Sequence, residues 1–229
     1  MKKNLVVIVF LALSVNIFAQ KVSGGLFGGT TLSWLSTDSK MVDPQGVKFG
    51  YTYGAVLDLN LTDNFAFTLG VRLNNTGGSA NYPNGLYKFE AEETVIPEKL
   101  PASTKINYNL NYLAIPVGIK GKTNEIGYFK YYLTAGATPM IRAKAKASFG
   151  IYENEVVNKE INSFNIGWNI GGGAEYSLVG NTRLMLEIVY MGGLIDFDKT
   201  EIFTEPAQVN VIKPKTVIND VHLKLGILF

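Results

Sequence analysis

Apolar side chains alternate with polar or small ones along most of the chain. From Phe49 to Leu61 every odd position is apolar, whereas nearly every even position is polar or small. The same alternation recurs over 65–74, 164–178 and 220–229. A period of two residues belongs to a β-strand with one apolar and one polar face, and it does not fit the 3.6-residue period of a helix. The pattern predicts an all-β protein.

Eight such runs can be counted, and the connections between them alternate between long and short. The predicted strands are 21–34, 47–61, 65–74, 104–120, 128–144, 164–178, 183–195 and 216–229. The short connections 62–64, 121–127 and 179–182 carry turn residues, whereas 75–103 and 196–215 are long. Outer-membrane barrels have short periplasmic turns and longer extracellular loops. We therefore expect an eight-stranded antiparallel up-and-down transmembrane β-barrel.

The first residues have the form of an export signal. Lys2 and Lys3 precede an apolar run, 5–15, that is shorter than the ~20 residues of a membrane-spanning helix. Small Ala19 then precedes polar Gln20, so cleavage is expected after Ala19. The predicted organisation is a signal peptide over 1–19 and a barrel domain over 20–229, with an uncleaved signal anchor as the alternative.

Alternation alone also describes soluble barrels, whose apolar face points inward around a ligand. Here the polar face carries four cations and four anions among many small residues, namely Asp58, Arg72, Lys130, Arg142, Glu175, Glu187, Asp220 and Lys224. An eight-stranded barrel is just wide enough to be filled by side chains, and aromatic side chains would overfill it. The apolar face is therefore expected to meet lipid.

Aromatic side chains cluster towards the ends of the predicted strands, as in the girdles of outer-membrane barrels. The residues expected at the membrane interfaces include Trp34, Tyr51, Tyr108, Trp168, Tyr176 and Phe229. The fourth strand changes phase, because its apolar residues are even-numbered up to Tyr112 and odd-numbered from Ile115. We expect a β-bulge at 113–115, before Pro116, and a ladder gap without a change of phase at Pro139.

Three segments resemble the PorT-type outer-membrane β-barrel domain family of Bacteroidota, often labelled the porin family. They are 112–116 (YLAIP), 171–176 (GGGAEY) and 190–194 (YMGGL). Terminal Phe229 is similar to the signature read by the outer-membrane assembly machinery. The resemblance covers almost the whole mature chain and implies an outer-membrane barrel. Val189 departs from the arginine that members often carry there, and the short motifs specify architecture rather than activity.

Little catalytic or metal-binding chemistry is indicated. The chain has no cysteine, and its one histidine, His222, lies on the predicted polar face between Asp220 and Lys224. We expect a structural histidine, no catalytic residues, no metal and no cofactor. The formal charge of +2 gives no reason to expect a nucleic-acid partner.

The inward charges predict a network that plugs the lumen. Glu175 and Glu187 are expected to be neighbours near the turn at 179–182, and the network is expected to comprise Asp58, Lys130, Glu175, Arg183, Glu187 and Lys224. The alternative is a narrow ion path. The connection 75–103 holds four glutamates, including Glu90 and Glu92, which either bind a partner or form a solvated surface.

Three classes of function follow. The first is a non-enzymatic barrel that presents extracellular loops in a structural, interaction or secretion-accessory role. The second is a small porin-like channel for ions or small solutes, and the third is a membrane-embedded lipid-modifying enzyme. The expected partners are outer-membrane lipid, the assembly machinery through Phe229, and an envelope or secretion protein.

Overall fold

The computed structural model describes residues 22–87, 89–92, 94, 96, 99–199, 202–204 and 210–229, so the predicted signal peptide lies outside the described residues. These residues form fifteen strands: β1 (Val22–Thr37), β2 (Asp43–Gln45), β3 (Lys48–Asn60), β4 (Phe65–Tyr82), β5 (Leu86–Tyr87), β6 (Lys99–Leu100), β7 (Thr104–Ala114), β8 (Val117–Lys122), β9 (Phe129–Phe149), β10 (Tyr152–Val156), β11 (Phe164–Ser177), β12 (Arg183–Gly193), β13 (Ile202–Thr204), β14 (Asn210–Ile212) and β15 (Thr216–Leu228). No helix in this described part is long and apolar enough to cross a membrane.

Eight barrel-spanning segments close into an antiparallel barrel. We call each of them a stave, because seven are single strands and the eighth is formed by β7 and β8 together. Each of β1, β3, β4, β7 with β8, β9, β11, β12 and β15 pairs with the next in this order. The ring closes between β1 and β15, from Gly25 opposite Leu228 to Thr37 opposite Thr216. The predicted eight-stranded up-and-down barrel is confirmed, and closure satisfies the backbone groups that lipid cannot.

The two ends of the barrel differ. The turn end carries the short turns 61–64, 123–128 and 178–182 together with Val22 and Phe229, and the loop end carries the long connections. Here β4 has 18 residues and β9 has 21, whereas about 9–11 suffice to cross a membrane. The predicted strand ends, at 74 for β4 and at 144 for β9, were therefore wrong, because both strands continue beyond the apolar band of the barrel wall.

The predicted sidedness of the barrel is confirmed. Leu57 and Ile170 are 38% and 53% exposed on the outer wall, whereas Asp58 and Glu175 are 1% and 0% exposed inside. A wall of exposed leucine, isoleucine, valine and aromatic side chains around buried charges is what a hydrocarbon environment requires.

The fourth stave contains no bulge at 113–115, so that prediction was wrong. Ala114 pairs with Met140 and Val117 with Ala137, which is a single unbroken register across Pro116. The ladder is only interrupted at 115–116, where the Pro116 carbonyl still accepts a hydrogen bond from Gly70 N–H. The even-numbered residues of this stave therefore point inward along its whole length.

The bulge lies instead on the neighbouring stave, β9. Asn111 of β7 pairs with Lys144 and Tyr112 pairs with Arg142, which leaves Ala143 without a partner in this ladder. Even-numbered residues of β9 face inward up to Arg142, and odd-numbered residues face inward from Ala145. The expectation of no change of phase at Pro139 is confirmed, because Pro139 pairs with Ile166 in an unbroken register. The change of phase comes later, at the bulge, which turns the last third of the stave over.

Candidate functional site

The lumen is filled in two layers. The charged layer lies towards the turn end and is formed by strand residues, namely Asp58, Lys120, Lys122, Glu175, Arg183, Glu187 and Lys224. The apolar cap lies towards the loop end and combines strand residues with residues of the long connections. This filled lumen is the candidate functional site, because it decides whether the barrel can conduct, react or only present its surface.

Lys120 is the centre of the charged layer. Its ammonium lies 2.7 Å from Asp58 Oδ2 and 2.6 Å from Glu175 Oε1, and it stacks 4.1 Å from the centroid of the Tyr132 ring. Arg183 Nη1 donates to the other Glu175 oxygen at 2.5 Å, and Lys122 lies 3.5 Å from Asp58. Buried charges are tolerated only when they are paired in this way.

A second ion pair lies further along the lumen. Lys224 Nζ donates to Glu187 Oε2 at 2.9 Å, and the other Glu187 oxygen accepts from the Thr134 hydroxyl at 3.4 Å. Glu187 and Lys224 face each other because they are direct cross-strand partners on β12 and β15.

Sequence reasoning and the structure differ on the members of this layer. The structure places Asp58, Glu175, Arg183, Glu187 and Lys224 inside, but Glu175 and Glu187 belong to separate clusters. Lys130 lies at the rim of the turn end, where its ammonium is 3.6 Å from Glu125 and both side chains are about one-third exposed or more.

Lys120 and Lys122 were missed, although the sequence contained a signal for them. Both alternate with Val117 and Ile119, so they occupy the inward phase of the fourth stave.

A polar cluster surrounds Asp220 between the two layers. The carboxylate accepts from the Thr76 hydroxyl at 2.5 Å and from the Asn74 amide at 3.4 Å. His222 Nδ1 lies 3.1 Å from the Thr31 hydroxyl, and its ring is fully buried. The histidine is thus held within the packed interior, away from both lipid and solvent.

The apolar cap is a conventional hydrophobic core. Its strand residues include Ile106, Tyr108, Leu110, Tyr112, Ala145, Ala147, Phe149, Met191 and Ile218, and its loop residues include Leu86, Phe89, Val157, Ile161 and Phe197. Phe197 packs edge-on against Tyr108 at 5.2 Å, and Phe89 packs edge-on against Phe149 at 5.3 Å. The prediction that Tyr108 lies at the membrane interface was wrong, because its side chain is 1% exposed inside the cap.

Loop backbone is anchored around the cap by Asp196. Asp196 Oδ1 accepts from the backbone N–H of Thr216 at 3.0 Å and of Asp198 at 3.4 Å. Burial raises the pKa of the Asp196 carboxyl, because desolvation outweighs these hydrogen bonds. The connection between β12 and β15 is thereby tied to the top of β15.

The remaining predicted interface aromatics lie on the outer wall. Tyr51, Trp168, Tyr176 and Phe229 are between 37% and 60% exposed, and Trp34 is half-buried against Tyr190 with ring centroids 6.2 Å apart. Trp168 lies flat over Gly192, where a Cβ atom would come within 2.5 Å of the indole nitrogen. The Phe229 backbone exchanges two hydrogen bonds with Gly24.

Two cavities frame the charged layer. An internal cavity of about 50 Å³ is lined by Arg72, Lys120, Glu187 and Lys224 among others, and it has room for only a few water molecules. A vestibule of about 700 Å³ at the turn end reaches up to Lys122 and Arg183. Among the described residues, no group of three or more acidic or histidine side chains could hold a metal ion.

Three solved structures are similar at low identity: OprG from Pseudomonas aeruginosa (15% identity, 92% of this chain and 97% of that chain, TM-score 0.49), Neisserial surface protein A (13%, 91% and 97%, 0.44) and Ail of Yersinia pestis (13%, 91% and 99%, 0.42). No curated protein sequence matches significantly.

The family model described as outer membrane protein beta-barrel domain matches residues 18–199. This range covers most of the chain and seven of the eight barrel staves. The barrel therefore lies in the outer membrane, with the turn end towards the periplasm and the loop end outside the cell. The chain belongs to the outer membrane protein beta-barrel domain family.

Proposed function

We propose that the protein is a sealed outer-membrane barrel that holds an ordered structure above the membrane for interaction with a partner, and that it is neither a channel nor an enzyme. One observation carries the proposal: both layers of the lumen are filled by packed side chains. A solute crossing the barrel would have to break the Lys120 ion pairs and then displace the apolar cap.

The apolar cap also supports the interaction role. A barrel that needs only to seal itself can do so with strand residues, as the charged layer does. The cap instead recruits Phe89, Val157, Ile161 and Phe197 from three separate connections and so orders the loops that carry them. Binding surfaces gain affinity when their backbone is ordered beforehand, because less conformational entropy is lost on binding.

The burial of His222 argues against the lipid-modifying alternative. A membrane-embedded acyltransferase or hydrolase would need its histidine within reach of lipid or of an outer cleft. His222 is fully buried between the charged layer and the cap, where its Nδ1 lies within hydrogen-bond distance of the Thr31 hydroxyl.

Conductance in planar bilayers tests the sealed lumen. We expect no steady openings from the purified protein. The triple substitution Lys120→Ser, Glu175→Ser and Arg183→Ser should also remain silent, because the apolar cap still closes the other half. Steady openings of the unaltered barrel would overturn the proposal in favour of the porin-like channel.

A secretion-accessory role, which the PorT-type resemblance implies, remains a second candidate. It is favoured by the vestibule of about 700 Å³, which opens to the periplasm and is lined by Ser23, Lys122, Arg183 and Phe229 among others. Recognition of Phe229 by the assembly machinery belongs to the same proposal, since its ring is 60% exposed at this end.

Site-specific photo-crosslinking in intact envelopes separates the two roles. Ile151 at the loop end is 90% exposed and Val179 at the turn end is 86% exposed, so a photoreactive side chain at either position leaves the barrel undisturbed. An adduct from position 151 alone supports presentation outside the cell. An adduct from position 179 alone supports the secretion-accessory role and contradicts the proposal that the protein binds a partner outside the cell.

A further inference from the structure

A polar surface continues the outer wall beyond the apolar band on three neighbouring staves. Leu73 of β4, Leu113 of β7 and Ile141 of β9 are the last large apolar residues exposed on their staves towards the loop end. The outward positions that follow are Asn109 and Asn111 on β7 and Lys144 and Lys146 on β9, together with Asn75 on β4, which is itself only 6% exposed. We call these five residues the donor face.

The bulge on β9 creates this surface. Before the bulge the even-numbered residues of β9 point inward, and after Ala143 they point outward. In a strand of the same sequence without the bulge, the even-numbered residues would keep pointing inward, and Lys144 and Lys146 would be directed into the apolar cap. Bulges commonly re-aim a side chain in this way, so the irregularity has a consequence for the surface of the barrel.

Hydrogen bonding fixes the orientation of the side-chain amides, that is, which way the oxygen and the nitrogen of each asparagine point. Lys48 Nζ can only donate, and it lies 2.6 Å from the Asn75 side chain, so the atom it meets is Oδ1. Asn75 Nδ2 must then face Asn109 and Asn111, and it donates to their Oδ1 atoms at 2.8 and 2.6 Å. Both acceptors are thereby occupied, and the Nδ2 groups of Asn109 and Asn111 have no partner among the described residues.

These two free donors lie beside two cations. Asn111 pairs with Lys144 and Asn109 with Lys146 across the β7–β9 ladder, and the two lysines are about 7 Å apart along β9. No carboxylate in the described part of the chain forms an ion pair with either lysine. Asp43, a carboxylate on the same wall, instead accepts a hydrogen bond from the Gln45 side chain.

We propose that the donor face binds the phosphate of an anionic lipid headgroup in the outer leaflet. Two ammonium groups and two oriented N–H₂ groups offer donors alone, which suits a phosphate and rejects a cation. The position directly beyond Leu73, Leu113 and Ile141 is where headgroups meet the wall of an outer-membrane barrel. The acyl chains of such a lipid would lie along these apolar residues.

The test uses the full mature barrel in nanodiscs of phosphatidylcholine, with diphosphoryl lipid A as the probe and fluorescence titration or native mass spectrometry as the readout. The substitution Lys144→Gln with Lys146→Gln should weaken lipid A binding about 25-fold, or about fivefold for each lysine near an anionic headgroup. Unchanged binding would overturn the proposal.

A charge-matched control separates the site from general attraction. Lys40→Gln with Lys199→Gln removes two exposed cations from other loops, and it should change binding by less than about twofold, because distant exposed charges are screened. An equal loss in this control would mean that net charge, and not the donor face, holds the lipid.

The substitution Asn75→Asp tests the orientation of the Asn109 and Asn111 amides while both lysines stay in place. A carboxylate at position 75 can only accept, so Asn109 and Asn111 would turn their Nδ2 groups towards it and present oxygens outward. Lipid A binding should fall although Lys144 and Lys146 remain, and retained binding would contradict the assignment. Inorganic phosphate in the titration should not displace the lipid, whereas full displacement would identify a site for the free anion instead.

Discussion

The two halves of the lumen solve the same packing problem with opposite chemistry. Eight strands enclose a space that side chains must fill, whichever residues are available. Near the periplasm the strands alone supply three cations and two anions, which form ion pairs around Lys120 and Glu175. Near the cell exterior the strands supply isoleucine, leucine and tyrosine, and the loops fold in to complete a hydrophobic core.

This difference shows which half depends on the loops. All members of the charged layer lie on barrel strands. Glu187 meets Lys224 as its direct partner across β12 and β15, and Lys120 of β8 reaches Asp58 and Glu175 on strands that are not its neighbours. Members of the apolar cap meet only after the long connections have folded inward, as Phe197 meets Tyr108. The charged layer is therefore a property of the barrel, whereas the cap joins the barrel to its extracellular structure.

The largest expected effect is in the charged layer. Glu175→Gln leaves Lys120 and Arg183 buried without their shared carboxylate, and breaking a buried pair in this way costs about 3–5 kcal/mol. The free energy of unfolding in urea, measured in lipid vesicles, checks it. Glu125→Gln is the matched control, since its pair with Lys130 is partly exposed and is worth at most about 1 kcal/mol. Equal losses of unfolding free energy in the two variants would show that the buried charged layer contributes no more to stability than the partly exposed Glu125–Lys130 pair at the turn end.

The next effect is in the apolar cap. Ile161→Ala deletes a fully buried side chain supplied by a loop, and such deletions cost about 2–5 kcal/mol. Because the strands beneath keep their ladder, we expect faster hydrogen exchange in the loop-end connections and little change near Lys120. Hydrogen-exchange mass spectrometry measures both regions in one experiment. Uniform loss of protection would mean that cap and charged layer unfold as one unit.

A smaller effect is expected when a whole ion pair is replaced. Glu187→Leu with Lys224→Met exchanges a buried pair for apolar side chains of similar length, which is commonly neutral or stabilising. We expect a free energy of unfolding within about 1 kcal/mol of the unaltered protein, and a much larger loss for Lys224→Met alone. Additive losses would show that the pair itself stabilises the barrel.

The smallest effect concerns pH and the edge of the cap. The pKa of Asp196 is raised on folding by burial, so the folded state binds the proton more tightly and its stability declines as pH rises through the folded pKa. Asp196→Asn keeps the Oδ1 acceptor and removes the buried charge. The variant should be slightly more stable at neutral pH, and the gain should vanish in acid. Parallel pH profiles of the two proteins would contradict this assignment.

Sequence reasoning identified the barrel, its strand order and its sidedness because alternation reports directly which side chains share a face. It failed at 104–114, where apolar residues at inward positions were interpreted as a change of face. The even-numbered residues of this stave point inward along its whole length, and it is the interior of the barrel that changes from charged to apolar. A single strand cannot distinguish these possibilities, because the filling of the lumen depends on loops distant in sequence.

Period-two patterning and connection length are local properties, so the amino-acid sequence was enough to predict an eight-stranded outer-membrane barrel with lipid outside and charges inside. The central place of Lys120 in the charged layer, the burial of Tyr108 in the apolar cap and the bulge at Ala143 that turns Lys144 outward became visible only in the folded chain. These outcomes depend on register between strands and on loop docking, where one extra residue moves every following side chain to the other face.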